Sequence, residues 1–310
     1  MTTDAIVILA VGVLAALLPL SGTYRSYLRR TLAAKAEATV PAEQEAALER
    51  RVTLGARAMG VGILVAGLLT LGLSQVWEHA DEVAGGFFQL SVMFVAGAAG
   101  LAVAAIWWPG TTAEGPRTAR ATSPTVEDYL PPLVLVLGRI FVALGLLALA
   151  ATLLLTRSEW FDAGTIWRSP VPLLAAALPV LVVLSWLAVR RILDAPQPAR
   201  DETELYWQDA IRAQTLSSLV VVTPCVGLFA LVVCGSVLDD AASTAATAAG
   251  QVGPAWSLAV LIAGYLLPFA LVVAALVVAA GSSRRSEMRH FRERLWGGQP
   301  PRSRAEEAHA

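Results

Sequence analysis

The side chains able to do acid–base, nucleophilic or metal chemistry are few in this sequence, and their spacing does not suit it. The only histidines are His79, His290 and His309. A zinc-dependent hydrolase of the His-Glu-x-x-His type needs two histidines one helical turn apart, with a glutamate between them to activate water, and no such pair exists. Neither a phosphate-cradling Walker loop nor a Gly-x-Ser-x-Gly nucleophile elbow occurs. The sole lysine, Lys35, lies in a polar stretch, so no Schiff base would form within an apolar segment. Cys225 and Cys234 share one apolar segment. Their nine-residue separation, at about 1.5 Å per residue, places them too far apart on a helix for a disulfide, and they read as small packing residues. The sequence therefore points to a protein that is not an enzyme and holds no metal or cofactor.

The elements that would position any site are legible from hydropathy. Of 310 residues 56% are hydrophobic and 15% charged, with a mean hydropathy of +0.63; soluble domains carry about 25% charged residues. The deficit is concentrated in apolar stretches near the ~20 residues needed to cross a bilayer. They fall at about Ala5–Leu20, Leu54–Gln75, Phe87–Trp108, Leu133–Thr156, Val171–Val189, Thr215–Leu238 and Ala255–Ala280. The expected fold is an all-α polytopic bundle of seven transmembrane helices over residues 1–281, with the N-terminus outside and the C-terminus in the cytoplasm. Basic residues set that orientation: nineteen lie in segments assigned to the inside, against Arg157 and Arg168 outside. No basic residue precedes the first stretch, while Arg25, Arg29 and Arg30 follow it, the reverse of a cleaved signal peptide. The near-exclusive use of arginine, with much alanine and valine, points to a high-GC bacterium and so to its plasma membrane. A net charge of −1 argues against a nucleic-acid partner.

Within the spans, small residues recur every four positions at Ala58, Gly62 and Ala66 and again at Ala96, Gly100 and Ala104, a spacing that lets helix backbones approach closely in lipid. No aspartate or glutamate is expected inside a span, which removes aspartyl proteolysis and carboxylate proton relays. Two arginines do enter: Arg57, about a turn from the inner surface, and Arg139, about two turns deep. Arg139 is the candidate functional intramembrane charge. Pro179, Pro224 and Pro268 sit near the middle of spans five, six and seven. Each removes a backbone hydrogen bond, so together they are candidates for a hinge or cavity.

Outside the lipid, residues 22–53 read as a cytoplasmic helical hairpin, with Pro41 opening the second arm and Glu43 and Glu45 in its first turn. The stretch Asp201-Glu202-Thr203-Glu204-Leu205-Tyr206-Trp207-Gln208-Asp209-Ala210-Ile211-Arg212 reads as a helix lying along the membrane surface on Trp207 and Ile211. These twelve residues resemble a stretch of multi-pass membrane proteins of actinobacteria, a resemblance that implies a membrane protein and no activity. Residues 282–296 form a basic amphipathic pattern, with Met288, Phe291 and Leu295 on one face. Arg284, Arg285, Arg289 and Arg292 on the other are candidates to bind anionic lipid at the cytoplasmic face. Residues 297–310 read as a disordered tail, and Asp239–Gly253 as a flexible outer loop. The function expected is that of a non-catalytic accessory, scaffold or sensor component acting through a protein partner at the cytoplasmic face. The alternative is a transporter or permease subunit moving a small solute, built on the three proline-bearing helices.

Overall fold

In lipid each backbone N–H and C=O must find a partner within its own segment, which leaves the helix as the element an open chain can use. The computed structural model describes residues 2–40, 42–76, 86–108, 124–197, 199, 201–282 and 287–301. Its regular elements are α1 (Thr2–Leu17, followed by a 3-10 turn at Leu18–Leu20), α2 (Gly22–Ala36), α3 (Ala42–Val76), α4 (Gly86–Trp107), α5 (Val126–Tyr129) and α6 (Pro132–Leu155). Then come α7 (Ala163–Trp167), α8 (Val171–Asp194), α9 (Glu202–Ala249), α10 (Ala255–Ser282) and α11 (Glu287–Leu295). Among the described residues, six helices are long and apolar enough to cross a membrane: α1 with its following turn, α3, α4, α6, α8 and α9. The described part of α10 is apolar over the shorter stretch Ala255–Leu271.

The bundle is apolar outside as well as inside. Leu14, Leu69, Leu147, Leu154, Leu266 and Phe269 are each at least 60% exposed. So continuous an apolar surface is sustained against hydrocarbon rather than water. Its interior divides into a large cluster around Tyr206 and Leu216 at one end and another around Leu174, Leu178 and Val233 toward the other. A small cluster around Ile8, Ile63 and Phe88 joins α1, α3 and α4.

The small-residue stripes meet each other. A Cβ added to Gly62 would strike the carbonyl oxygen of Ala96, and one added to Gly100 would strike that of Ala58. The same device recurs between α6 and α9, where a Cβ on Gly145 would stand 2.6 Å from the carbonyl oxygen of Gly227. Without a hydrophobic effect to press helices together in lipid, contact between backbones is what maximises dispersion.

Three expectations change. The surface helix at 202–212, the sixth span and the outer loop from Asp239 are one continuous helix, α9, of 48 residues. At ~1.5 Å per residue it is about 72 Å long, more than twice the ~30 Å hydrocarbon layer. Asp201 caps its start, its side chain accepting from the Glu204 N–H at 2.7 Å, and Gly250 in the left-handed conformation (φ 65°) ends it. The Ala, Thr and Ser residues between are tolerated in a helix, where Thr244 and Thr247 turn their hydroxyls back to carbonyls four residues earlier. Trp207, expected at a membrane surface, is 3% exposed inside the protein. An acid also lies within the first apolar helix: Asp4 is 5% exposed and accepts a hydrogen bond from Gln89 of α4.

The glycine contacts generate a stability prediction. Gly100→Leu should lower the thermal unfolding midpoint of the purified protein, corresponding to about 1–3 kcal/mol of overpacking. Gly72→Leu, at a helical glycine with open space around it, should leave the midpoint within error.

Candidate functional site

Among the described residues, the densest polar construction lies at the end of the bundle where α2 stops and α9 begins. Asp209, in the third turn of α9, is 0% exposed. Its Oδ1 accepts from the Tyr129 hydroxyl and from Nε2 of Gln197, both at 2.9 Å, and its Oδ2 accepts from Nε1 of Trp296 at 3.0 Å. These donors come from α5, from the segment after α8 and from the residue following α11. A buried carboxylate costs several kcal/mol unless its lone pairs are met, so the bonds are a condition for its presence there.

One turn earlier, Tyr206 donates to the carbonyl oxygen of Ala36 at 2.5 Å. That carbonyl belongs to the last turn of α2, where helical geometry leaves acceptors without partners. Nη1 of Arg292 donates to the same oxygen at 3.2 Å, while Nη2 reaches Oε1 of Glu37 at 2.8 Å. A cation at a helix C-terminus also complements the helix dipole. The Arg292 guanidinium, donating to the Glu37 side chain, holds that carboxyl below its ordinary range. Glu37 reciprocally raises the Arg292 pKa. Burial is the main cause that pushes the Tyr129 hydroxyl well above its usual value, with Asp209 adding to it. Around these bonds Tyr206 meets Phe291 at a tilt and Trp296 edge to face, ring centroids 5.6 and 5.4 Å apart. His290 Nε2 lies 2.9 Å from the carbonyl oxygen of Glu127, and Nη2 of Arg212 donates to that of Ala195 at 2.7 Å.

The arrangement knots five chain segments together. Asp209 is enclosed and engaged by donors from three of those segments, a geometry suited to holding structure. No cluster of three or more metal-ligating side chains occurs among the described residues.

The sequence-predicted residues are dispersed. Arg139 is exposed on the outward face of α6, and Arg57 is exposed on α3. Pro179 is exposed on α8, whereas Pro224 is buried against Gly138 of α6 and Pro268 is buried in α10. None of the three borders the cleft of about 660 Å³ that opens between α2, α3, α4 and α9. Arg284 and Arg285 lie outside the described residues. Arg289 is exposed and pairs with Glu293, but Arg292 is 3% exposed and points into the protein, because Ala36 and Glu37 claim its guanidinium. Met288 and Phe291 are buried against the protein at 2% and 0% exposure, so the apolar face expected to enter the membrane surface packs on Tyr206 instead. Asp209, Tyr206, Tyr129 and Gln197 were not among the expected site residues; an acid three residues from Arg212 beside three apolar or aromatic neighbours was the only sign.

Comparison with known proteins yields no matching family model, no matching curated protein and no matching solved structure.

Asp209→Ala would remove the acceptor of the buried Tyr129 hydroxyl and of two partly buried donors, Gln197 and Trp296, and should destabilise this end of the protein by about 3 kcal/mol. The readout is trypsin cleavage within α11 of the purified protein, which should become fast while the apolar helices stay intact. The Glu37–Arg292 pair adds a pH dependence. A carboxyl lowered in the folded state stabilises it above the unfolded value, 4.5 in this case, and that contribution is lost as pH falls through the depressed folded value. Release of α11 on acidification below that range should therefore be steeper in the wild type than in Glu37→Gln.

Proposed function

We propose that the protein is a non-catalytic component of a bacterial plasma membrane, with seven spans and its N-terminus outside. Its knotted cytoplasmic end serves as a rigid docking platform for a protein partner. The observation that carries this reading is the convergence on Asp209 and Ala36 of segments that follow α1, α4, α8 and α10. In a chain whose spans alternate in direction, segments after the first, third, fifth and seventh crossings share a side. The α10–α9 packing through Gly264 and Gly235, with α11 back beside the start of α9, is what a seventh crossing by α10 would produce. At about 1.5 Å per residue its 28 residues span roughly 42 Å, enough for the ~30 Å layer. The arginine distribution supports reading this shared side as cytoplasmic.

The platform reading rests on where polar bonding is spent. Buried polar networks add specificity of arrangement more than stability, and here they fix elements beyond the apolar spans. The arms of the α2–α3 hairpin are tied by Arg25 to Glu49 at 3.0 Å and by Arg29 to Glu45. Such a projection, held in one pose, presents a defined surface to a soluble partner without ordering cost at the moment of binding.

Two measurements test the reading. With the native cysteines replaced by alanine, Gln299→Cys should react with an impermeant maleimide in spheroplasts only after permeabilisation, and Ser243→Cys before it; the reverse pattern would invert the topology. A photo-crosslinking residue at Ala38, in the hairpin turn, should give a discrete adduct in the native host that a probe at Ser243 does not. A chain that comes out alone and uniform, with no adduct at Ala38, would remove the partner.

A further inference from the structure

The cleft between α2, α3, α4 and α9 has two unlike parts. Its larger part, about 660 Å³, has apolar walls that include Met59, Leu101, Val221 and Val222, and an aromatic and hydroxyl rim with Tyr24 and Thr31. A smaller hollow of about 40 Å³ continues from it, the two sharing Arg51, Ala105, Trp108, Ile211 and Thr215. At about 10–15 Å³ per water the hollow has room for about three waters, or for one tetrahedral oxyanion.

The hollow is cationic and incompletely satisfied. Arg51 and Arg212 both border it, close enough for their charges to repel. Arg212 is accounted for: it donates to Ala195 and lies beside the Tyr129–Asp209 pair, whose carboxylate offsets it. Arg51 is not. Its Nη2 is buried and, among the described residues, has no hydrogen-bond partner. A buried guanidinium donor left open costs free energy that an acceptor bearing negative charge would recover. A second guanidinium at its side makes the preferred ligand an anion rather than a neutral carbonyl. Gln197 and Gln208 complete the polar wall.

Arg51 stands three residues before the apolar run that begins at Leu54, and Trp108 ends α4, so the hollow lies at the level where α3 and α4 leave the hydrocarbon. A ligand filling both parts has an anionic head and an apolar body. We infer that this cleft is a binding site for an anionic phospholipid, its phosphate held in the hollow by Arg51 and Arg212 and its acyl chain lying along α3, α4 and α9. The site is separate from the basic residues of α11, and it does not depend on which face of the membrane this end occupies.

The test uses the full-length protein in a gentle detergent, with native mass spectrometry as readout. The ligands are a phosphatidylglycerol, a phosphatidylcholine of the same chains, and inorganic phosphate. The wild type should retain one phosphatidylglycerol per chain at least about tenfold more strongly than phosphatidylcholine, because both carry the phosphate but the trimethylammonium of the latter brings a like charge beside Arg51 and Arg212. Arg51→Gln should abolish that preference, and Val221→Trp, which fills the apolar arm without touching the arginines, should weaken retention of the lipid. Arg139→Gln, at an exposed arginine on another helix, should change neither. Equal retention of the two lipids by the wild type, or undiminished retention in both Arg51→Gln and Val221→Trp, would overturn the assignment. So would inorganic phosphate displacing the lipid at equal concentration, since that would leave no role for the apolar arm.

Discussion

The carboxylate of Asp209 has no contact with solvent, and that single burial constrains much of the structure around it. A carboxylate stripped of water is tolerable only if fixed donors replace the water, and the donors here come from residues as distant in sequence as Tyr129 and Trp296. To supply them, α5 must stand beside α9, the segment after α8 must turn back at Gln197, and the chain after α10 must return to the same end. Tyr206 and Arg292 repeat the pattern one layer away, on the carbonyl that α2 leaves open at Ala36. Each bond alone contributes about 1 kcal/mol net; the penalty for breaking the set is larger, because it falls on every group left behind.

The membrane character and most helices were legible because hydropathy acts locally: a span has to be apolar along its own length, whatever it packs against. The two small-residue stripes were legible for a related reason, since close approach demands small residues at a fixed spacing on one face. That Gly62 faces Ala96 and Gly100 faces Ala58 is a pairing between helices, but the spacing that permits it lies within each. The length of α9 was hidden by composition. A run of Ala, Thr, Ser and Gly reads as a loop when it follows an apolar span, yet alanine is the strongest helix former and no breaker intervenes before Gly250.

The site was not legible, and the reason is again physical. A buried polar residue is recognised by its partners, and those of Asp209 are 80, 12 and 87 positions away. In sequence it stands among other acids at the start of a helix, where a carboxylate is ordinarily solvated. Arg292 misled in the opposite direction, because a basic amphipathic pattern has the same periodicity whether its apolar face meets lipid or another helix. Asp4 shows the same limit at the opposite end of the chain: it stands one residue before the first apolar stretch, and only its contact with Gln89 shows that it is enclosed.

The placement of polar contacts follows from what competes with them. In the middle of the bundle, among the described residues, the Ser185–Thr223 pair at 2.6 Å is a side-chain hydrogen bond between helices, while backbones meet closely through glycine at Gly62, Gly100, Gly145 and Gly235. Interhelical hydrogen bonds in lipid average only about 0.6 kcal/mol, because a helix separated into the bilayer finds other partners for the same groups. Dispersion between closely packed backbones has no such substitute. Toward the ends the balance reverses. There an element such as α2, α5, α7 or α11 is too short to be held by its own helix propensity, and specific bonds have to place it. At the far end of α9, Asp162 meets this need by capping α7 through Thr165 and donating its backbone N–H to Ala241 at 3.0 Å. Because α9 runs unbroken from Asp209 past Ala241, the two polar assemblies are anchored to one helix, and each fixes its neighbours relative to the same axis.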